Sequence, residues 1–274
     1  MLRDIQVLID EEPTNKIRID AALQLSKKWE KVHIIGVHAL KTPEVIFYGT
    51  PYDVMGYFPQ EIIELKRAEA DNQAKRLKNN FEDLFSLHSK TCEWRQQEGR
   101  VNDILSFNAR FTDLTIISQP SDNLVNEREF SDSLIMEHGL SILAVPEEKI
   151  PDNMTDNILI AWNGSPESAR AVKNALPLLE VSQKVVLLSV GKLERNAISA
   201  KEMQEHLLRH DINCIQRHEE GSSPENTILS VAHNENIGLI IAGAWGHSRI
   251  REIVFGGVTK RLFTNQKIPV FLSH

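Results

Sequence analysis

The chain repeats one strand–helix–strand pattern, and this repeat constrains the fold more than any other feature. An apolar run from Ile5 leads to Asp10, and a matching run from Ile158 leads to Asn163, 153 residues further on. A helical segment and a second apolar run follow in both places. Continuous apolar runs are typical of buried parallel strands, and their alternation with helices indicates a parallel sheet. The sequence therefore predicts an α/β fold in which one unit occurs twice.

The later elements of the two halves also correspond, at a smaller spacing. Cys92 and Cys214 occupy matching positions in the third strand, and the triplet Ile-Leu-Ser begins at Ile104 and again at Ile228. The spacing falls from 153 to 122 residues because the first half contains about 31 extra residues. Each half therefore predicts a doubly wound, five-stranded, mostly parallel sheet with helices on both faces.

The repeat also predicts the domain boundaries. The proline-flanked polar segment 146–153 suits a linker, so we expect a degenerate first domain over 1–148 and a second domain over 154–274. The extra residues of the first domain lie at about 41–87.

This insertion has two parts. Its first part, 41–59, contains the aromatic residues Tyr48, Tyr52, Tyr57 and Phe58, and its second part predicts a charged helix from about Gln60 to Leu87. The aromatic part either forms a partner or ligand surface or folds back over the first domain's own binding edge. The charged helix is interpreted as a solvated face.

Composition excludes several classes of protein. The net charge of −7 argues against a surface that coats nucleic acid, and no apolar run approaches the roughly 20 residues that span a bilayer. The first residues enter a strand without a signal-peptide pattern, and two cysteines suit a reducing compartment. We therefore expect a soluble, cytoplasmic protein with neither a nucleic-acid nor a membrane partner.

Glycines follow the fourth strand of the second half. The apolar run that begins at Leu239 leads into Gly243 and Gly246, and the pair Gly256 and Gly257 comes after nine more residues. Glycines at a strand end let backbone N–H groups approach a ligand, and the start of a helix favours phosphate. The pattern predicts a site for a nucleotide or another phosphate ester, the alternative being two ordinary loop turns.

These residues resemble the universal stress protein family. Nucleotide-binding members carry Gly-x2-Gly-x9-Gly-Ser/Thr after the fourth strand, and here Gly243, Gly246 and Gly256 match that motif. The resemblance extends from about Asn157 to His274, whereas the first half is similar to the family in layout only. It implies a tandem universal stress protein with the Rossmann-like fold of adenine nucleotide alpha hydrolases.

The resemblance implies that ATP or another adenine nucleotide, alone or with Mg²⁺, binds to the C-terminal domain only. The ends of the first and second strands would hold the adenine and the ribose, and the glycine motif would wrap the ribose and the phosphates. The implied contacts are Ala161, Trp162, Asn163, Val190, Ala242, Gly243, Gly246, His247, Gly256, Gly257, Val258 and Thr259.

The sequence departs from the family pattern at two of these positions. Asn163 replaces the usual aspartate and removes a carboxylate that could help to hold a metal ion or a ribose hydroxyl. Gly257 replaces the hydroxyl residue that the family places beside the phosphates. In the first half, Ser118-Gln119-Pro120 stands where the first glycines are expected, so we predict that this half binds no ATP.

The remaining reactive side chains predict no catalytic residue and no metal site. His247 lacks a partner carboxylate at a matching motif position, which argues against a general acid or base. His33 and His38 flank a strand and are interpreted as structural, with a proton switch as the alternative. Cys92 and Cys214 are interpreted as small core residues, with a redox role as the alternative. A weak ATPase is a subordinate interpretation.

Two functions follow as hypotheses. In the first, ATP bound to the second domain stabilises one conformation or dimer in a stress response and thereby signals to an unidentified protein partner. In the second, the pocket is vestigial and the chain is a structural or interaction scaffold that binds no nucleotide. We expect the two domains to pair within the chain, with a homodimer as a further form.

Overall fold

The computed structural model describes residues 1–40, 60–120, 141–191, 193–244, 257–264 and 267–273, without the side chains of 193–198. In these ranges ten strands alternate with seven helices. The strands are β1 (Asp4–Leu8), β2 (His33–Leu40), β3 (Thr91–Glu98), β4 (Leu114–Ser118), β5 (Ser141–Val145), β6 (Asn157–Ala161), β7 (Lys184–Val190), β8 (Cys214–Glu219), β9 (Leu239–Gly243) and β10 (Val270–Ser273). The helices are α1 (Asn15–Ser26), α2 (Gln60–Leu87), α3 (Val101–Ala109), α4 (Pro166–Glu180), α5 (Leu193–Leu208), α6 (Pro224–Asn234) and α7 (Gly257–Phe263).

All ten strands belong to one sheet, in the order β3-β2-β1-β4-β5-β10-β9-β6-β7-β8. Neighbouring strands are parallel within β1–β5 and within β6–β10, and these two sets have the same internal order. The predicted α/β class, with a mostly parallel sheet between helices, is confirmed. The sequence did not predict the joint between the sets, where β5 and β10 pair antiparallel with Ile142 opposite Leu272.

The antiparallel joint reverses the direction of the second set. The carboxyl ends of β1–β5 therefore lie at the same edge of the sheet as the amino ends of β6–β10. Gln119, which follows β4 and is buried, donates a hydrogen bond of 2.7 Å from Nε2 to the carbonyl of Ile268, just before β10. In parallel sheets ligands bind beyond the carboxyl ends of the strands, so the binding edges of the two sets face opposite ways.

Apolar cores fill both faces of the sheet. Alternation along β6 sends Ile158 and Ile160 to one core and Leu159 to the other, as the period of two in a strand requires. Helices α1, α2, α4 and α5 contribute to the first core, and helices α3, α6 and α7 contribute to the second. The sheet is therefore covered by helices on both sides.

Local sequence signals account for the start of α4 and for the course of α2. Ser165 caps α4 by accepting a hydrogen bond of 3.1 Å from the backbone N–H of Ser168, and Pro166 is the first helical residue, as predicted. Helix α2 has the predicted bounds, Gln60–Leu87, and its first buried residue is Ala74. The first half of α2 is therefore the solvated face that its charges indicated.

His38 of β2 and the cysteines of the two edge strands have structural surroundings. His38 is buried, its Nδ1 lies 2.8 Å from the carbonyl oxygen of Ile9, and its ring stacks on Trp94. Cys92 and Cys214 pack against the first core and are only partly buried. Burial raises the pKa of the Cys214 thiol to about 11. These surroundings favour a packing role for the three side chains.

The aromatic insertion 41–59 lies outside the described residues, and so does the segment 121–140 of the first half. In the part of the chain that the structure covers, no helix is long and apolar enough to cross a membrane.

Candidate functional site

A cavity of about 250 Å³ opens at the carboxyl ends of β6, β7 and β9. Helices α6 and α7 contribute its side walls. The cavity therefore lies at the edge of the sheet where an open α/β fold is expected to bind a ligand. The described residues that line it are Ala161, Trp162, Asn163, Ser165, Leu188, Val190, Pro224, Ile228, Ala242, Gly243, Gly257, Val258, Thr259 and Leu262.

The structure brings together nine of the twelve residues that the sequence indicated. They are Ala161, Trp162, Asn163, Val190, Ala242, Gly243, Gly257, Val258 and Thr259. The other three, Gly246, His247 and Gly256, lie outside the described residues. Prediction therefore selected residues from four separate segments that share one cavity.

Sequence reasoning missed five lining residues, and periodicity could have identified three of them. Leu188 lies two residues before Val190 and so faces the same side of β7. Pro224 and Ile228 lie four residues apart on α6, on one face of that helix. The other two, Ser165 and Leu262, carried no signal beyond the cap and the apolar pattern.

Trp162 contributes to the cavity without filling it. Its indole is buried in the first core and donates a hydrogen bond of 3.2 Å from Nε1 to Ser199 Oγ. The apolar wall residues Leu188 and Ile228 belong to the second core, on the other face of the sheet. The indole therefore leaves the cavity open.

The turn between β6 and α4 fixes Asn163 at the cavity. The Oδ1 atom of Asn163 accepts a hydrogen bond of 3.0 Å from the backbone N–H of Ser165, which forms an Asx turn. Gly164 between them has a positive φ of 74°, a conformation that favours glycine. The side-chain oxygen of Asn163 is thus used by the turn, and its Nδ2 amide remains as a donor.

Close packing, which the sequence did not reveal, requires a glycine at position 243. A Cβ atom at this position would lie 2.5 Å from the backbone nitrogen of Ser168 and 2.7 Å from the carbonyl carbon of Glu167. The end of β9 therefore packs against the first turn of α4. Thr259 donates a hydrogen bond of 3.3 Å from Oγ1 to the carbonyl of Gly243, which ties α7 to the same strand end. Gly243 is required at least by this packing, whereas the sequence suggested only close approach of a ligand.

The described lining contains no charged side chain. Magnesium prefers oxygen ligands and is usually held by one or two carboxylates. Asn163 has no carboxylate, and its amide oxygen Oδ1 already accepts the hydrogen bond from Ser165. These residues therefore do not fit a protein-held Mg²⁺ ion. Within the described ranges, no group of three or more His, Cys, Asp or Glu side chains could hold a metal ion either.

One carboxylate lies next to the lining, at the start of α6. Glu225 follows Pro224, and the hydrogen bond that Ser223 donates from Oγ, at 2.7 Å, lowers the pKa of Glu225. The residues of the cavity itself offer apolar surface, the hydroxyl groups of Ser165 and Thr259, and an amide. This set suits binding of a neutral, partly apolar group.

The corresponding edge of the first half contains an internal cation. Arg18 of α1 is only 2% exposed and donates from Nε to the carbonyl of Leu8 at 2.7 Å and from an amino nitrogen to Ser118 Oγ at 2.6 Å. It also forms an ion pair with Asp10 and a hydrogen bond with Thr14. One guanidinium thus joins the ends of β1 and β4. Burial lowers the pKa of Arg18, and the negative charge of Asp10 offsets only part of this effect.

Comparison with known proteins finds a family match in the second half. The sequence pattern of the universal stress protein family matches residues 154–274. No curated protein sequence is significantly similar to the chain.

The fold of the whole chain is similar to that of solved structures. A universal stress protein from Archaeoglobus fulgidus DSM 4304 is 13% identical, with a TM-score of 0.79 over 98% of this chain and 97% of that one. A putative universal stress protein from Pseudomonas aeruginosa UCBPP-PA14 is 12% identical, with a TM-score of 0.61 over 99% and 93%. The cytoplasmic domain of a prokaryotic cation chloride cotransporter is 10% identical, with a TM-score of 0.51 over 100% and 95%. At these identities the likeness concerns the fold alone.

Proposed function

We propose that residues 154–274, which match the universal stress protein family, bind ATP or another adenine nucleotide and that binding serves a stress response. The observation that supports the proposal is the cavity at the carboxyl ends of β6, β7 and β9, in which nine of the twelve indicated residues meet. Its uncharged, largely apolar lining suits a nucleoside. The phosphates would then extend out of the cavity beside Gly257 and Val258.

The proposed role is that of a sensor. The described lining offers no residue pair suited to acid–base or nucleophilic chemistry, so nucleotide is proposed to act by favouring one conformation or assembly that a protein partner recognises. A ligand that binds only the folded chain at one hundred times its Kd also adds about 2.7 kcal/mol to the free energy of unfolding. Hydrolysis of ATP is not required for either effect.

The proposal extends to the organisation of the chain. The two sets of strands have the same order, and we propose that they are two copies of one domain, with the boundary in the segment 146–153. The copies pair within the chain through β5 and β10. Only the second copy is proposed to bind nucleotide, in a soluble, cytoplasmic protein.

Calorimetric titration with ATP, together with mass spectrometry of small molecules released by denaturation, tests this proposal. We expect one adenine nucleotide per chain. Val258→Trp, at a half-buried lining residue, should fill the cavity and weaken binding by about tenfold or more, a loss of about 1.4 kcal/mol. Ile215→Trp is the matched control because Ile215 is 58% exposed on the edge strand β8. Equal affinity in the two variants would place the nucleotide elsewhere.

A second candidate function is an interaction scaffold without nucleotide. It is favoured by two exposed aromatic side chains, Phe107 in α3 and Phe111 just after this helix, which are 50% and 63% exposed. Their rings are 5.9 Å apart, and the guanidinium of Arg110 lies 5.9 Å from the ring of Phe107. Exposed aromatic groups of this kind are enriched at protein interfaces. No released nucleotide and no heat of binding at millimolar ATP would leave this function as the better one.

A further inference from the structure

A second cavity lies at the opposite edge of the second half. It has a volume of about 600 Å³ and is bounded by the segment before β6, by the end of α6, and by α7 with the residues that precede β10. Asn153, Asn236 and Lys267 each come shortly before a strand, so this cavity opens at the amino ends of β6, β9 and β10. The nucleotide cavity opens at the carboxyl ends, and the two do not share a lining residue.

The frame of this cavity is fixed by two hydrogen bonds from asparagine side chains and by one close approach of two backbone segments. The side-chain amides of Asn153 and Asn157 both donate to the carbonyl of Asn236, at 2.7 and 2.9 Å. A Cβ atom on Gly238 would lie 2.2 Å from the carbonyl oxygen of Asn153, so the linker packs directly on the start of β9. The wall between the linker and α6 is therefore closely packed and hydrogen-bonded.

The charge of this cavity contrasts with that of the chain. The protein contains 38 acidic and 31 basic residues, yet Arg261, Lys267 and His233 line the cavity and no described lining residue is a carboxylate. Glu225 lies outside the lining, and its pKa is lowered first by the hydrogen bond that it accepts from Ser223 and to a smaller extent by the charge of Arg261. A concave surface lined by one sign of charge raises the local concentration of the opposite ion.

The rest of the lining is apolar. Pro151, Leu229, Ala232, Ile237 and Ile268 supply carbon surface between the basic groups. Inorganic phosphate alone would leave this apolar surface exposed to water, and a neutral apolar molecule would gain nothing from the positive charge of the lining. Sites for small organic ligands combine a mainly apolar lining with a few polar groups that fix orientation.

From these features we infer that this cavity binds an organic anion, in which a phosphate or carboxylate group contacts Arg261 and Lys267 and an apolar body lies against α6 and the linker. Guanidinium and ammonium groups form charge-assisted hydrogen bonds with both kinds of anion. The two cavities share the helices α6 and α7 but no lining residue, so the inference does not require that nucleotide binds to the first cavity.

Equilibrium dialysis with 2-naphthyl phosphate tests the inference on the full chain. This probe carries an apolar ring and a phosphate, while 2-naphthol lacks the charge and inorganic phosphate lacks the ring. We expect one molecule of 2-naphthyl phosphate per chain and much weaker binding of the other two compounds. Val258→Trp, which fills the nucleotide cavity, should leave that molecule bound, because the two cavities share no lining residue. Loss of the bound probe in this variant would overturn the inference.

Charge-removing variants locate the probe. Arg261→Gln and Lys267→Gln should each weaken binding of 2-naphthyl phosphate by about tenfold. Lys201→Gln is the matched control, since Lys201 is a 72% exposed lysine on α5 that lines neither cavity. Because Arg261 and Lys267 are exposed, thermal unfolding of both variants should match that of the control. Unchanged affinity in both variants, or equal binding of 2-naphthol, would contradict the site. Replacing the phosphate by 2-naphthoate then distinguishes phosphate from carboxylate ligands.

Discussion

Substitution of Gly243 by alanine tests the contact between β9 and α4. The added Cβ atom would lie 2.5 Å from the backbone nitrogen of Ser168, whereas ordinary contacts begin at 3.4 Å. The first turn of α4 must therefore move by about 0.9 Å, and it is held by the cap at Ser165. Overpacking of this kind costs about 1–3 kcal/mol of the free energy of unfolding. For a chain of 274 residues, 2 kcal/mol corresponds to a decrease in Tm of roughly 3–4 °C.

Gly257→Ala is the matched control. A Cβ atom at Gly257 has no neighbour within 4 Å, and this glycine begins α7, where alanine is the better helix former. We expect a change of less than about 0.5 kcal/mol or a small gain in stability. Urea unfolding followed by circular dichroism measures both variants. If Gly243→Ala is as stable as Gly257→Ala, the close packing of β9 against α4 is wrong.

Four further substitutions and measurements test individual groups. Arg18→Leu leaves the partly buried Asp10 carboxylate without its cation and should lower the free energy of unfolding by about 3 kcal/mol, measured in urea. Burial, followed by nearby positive charge, lowers the pKa of His206 below 6.5, so the unfolded chain binds more protons and stability should fall as pH decreases through 6.5. His206→Gln should flatten this dependence, and an unchanged slope would contradict it. Since burial raises the pKa of Cys214 to about 11, its thiol should react slowly with Ellman's reagent at pH 8 until urea unfolds the chain. ATP affinity should be the same in Mg²⁺ and in EDTA, whereas Asn163→Asp should make it increase with Mg²⁺; a strong Mg²⁺ requirement in the unchanged chain would contradict the ligand set.

The sequence was sufficient for the fold class because its signals are local. The run from Ile158 and the cap at Ser165 each specify one element without reference to distant residues, and the helix Gln60–Leu87 follows from its charge pattern. The joint between β5 and β10 could not be predicted in this way. It depends on which strand edges remain unpaired after each set has formed, and both strands are short apolar runs that pattern alone does not orient.

The candidate site was predictable where a strand end carries a distinctive residue, as at Asn163 and Gly243. It was not predictable where the lining comes from a helix face. Helix α6 presents Ile228 to the nucleotide cavity and the next residue, Leu229, to the second cavity at the opposite edge. Adjacent helical residues point about 100° apart, and the sequence alone does not say which direction meets a cavity. The packing reason for Gly243 also required coordinates, since its contact is with the backbone of α4.

The difference between the two halves follows from three positions that differ together. Counting along matching strands and helices, Asp10, Arg18 and Ser118 correspond to Asn163, Ala171 and Gly243. In the second half, a glycine ends β9, and the buried Ala171 leaves room, so α4 approaches the strand end directly. In the first half, a serine ends β4, and the guanidinium of Arg18 joins that serine to Asp10 and to the end of β1. Ser118→Gly alone would remove one partner of Arg18 and leave a buried cation at the strand ends. A nucleotide site in the first half would therefore require at least Arg18 and Ser118 to change together, whereas Asp10 is already the residue that the family pattern has at this position.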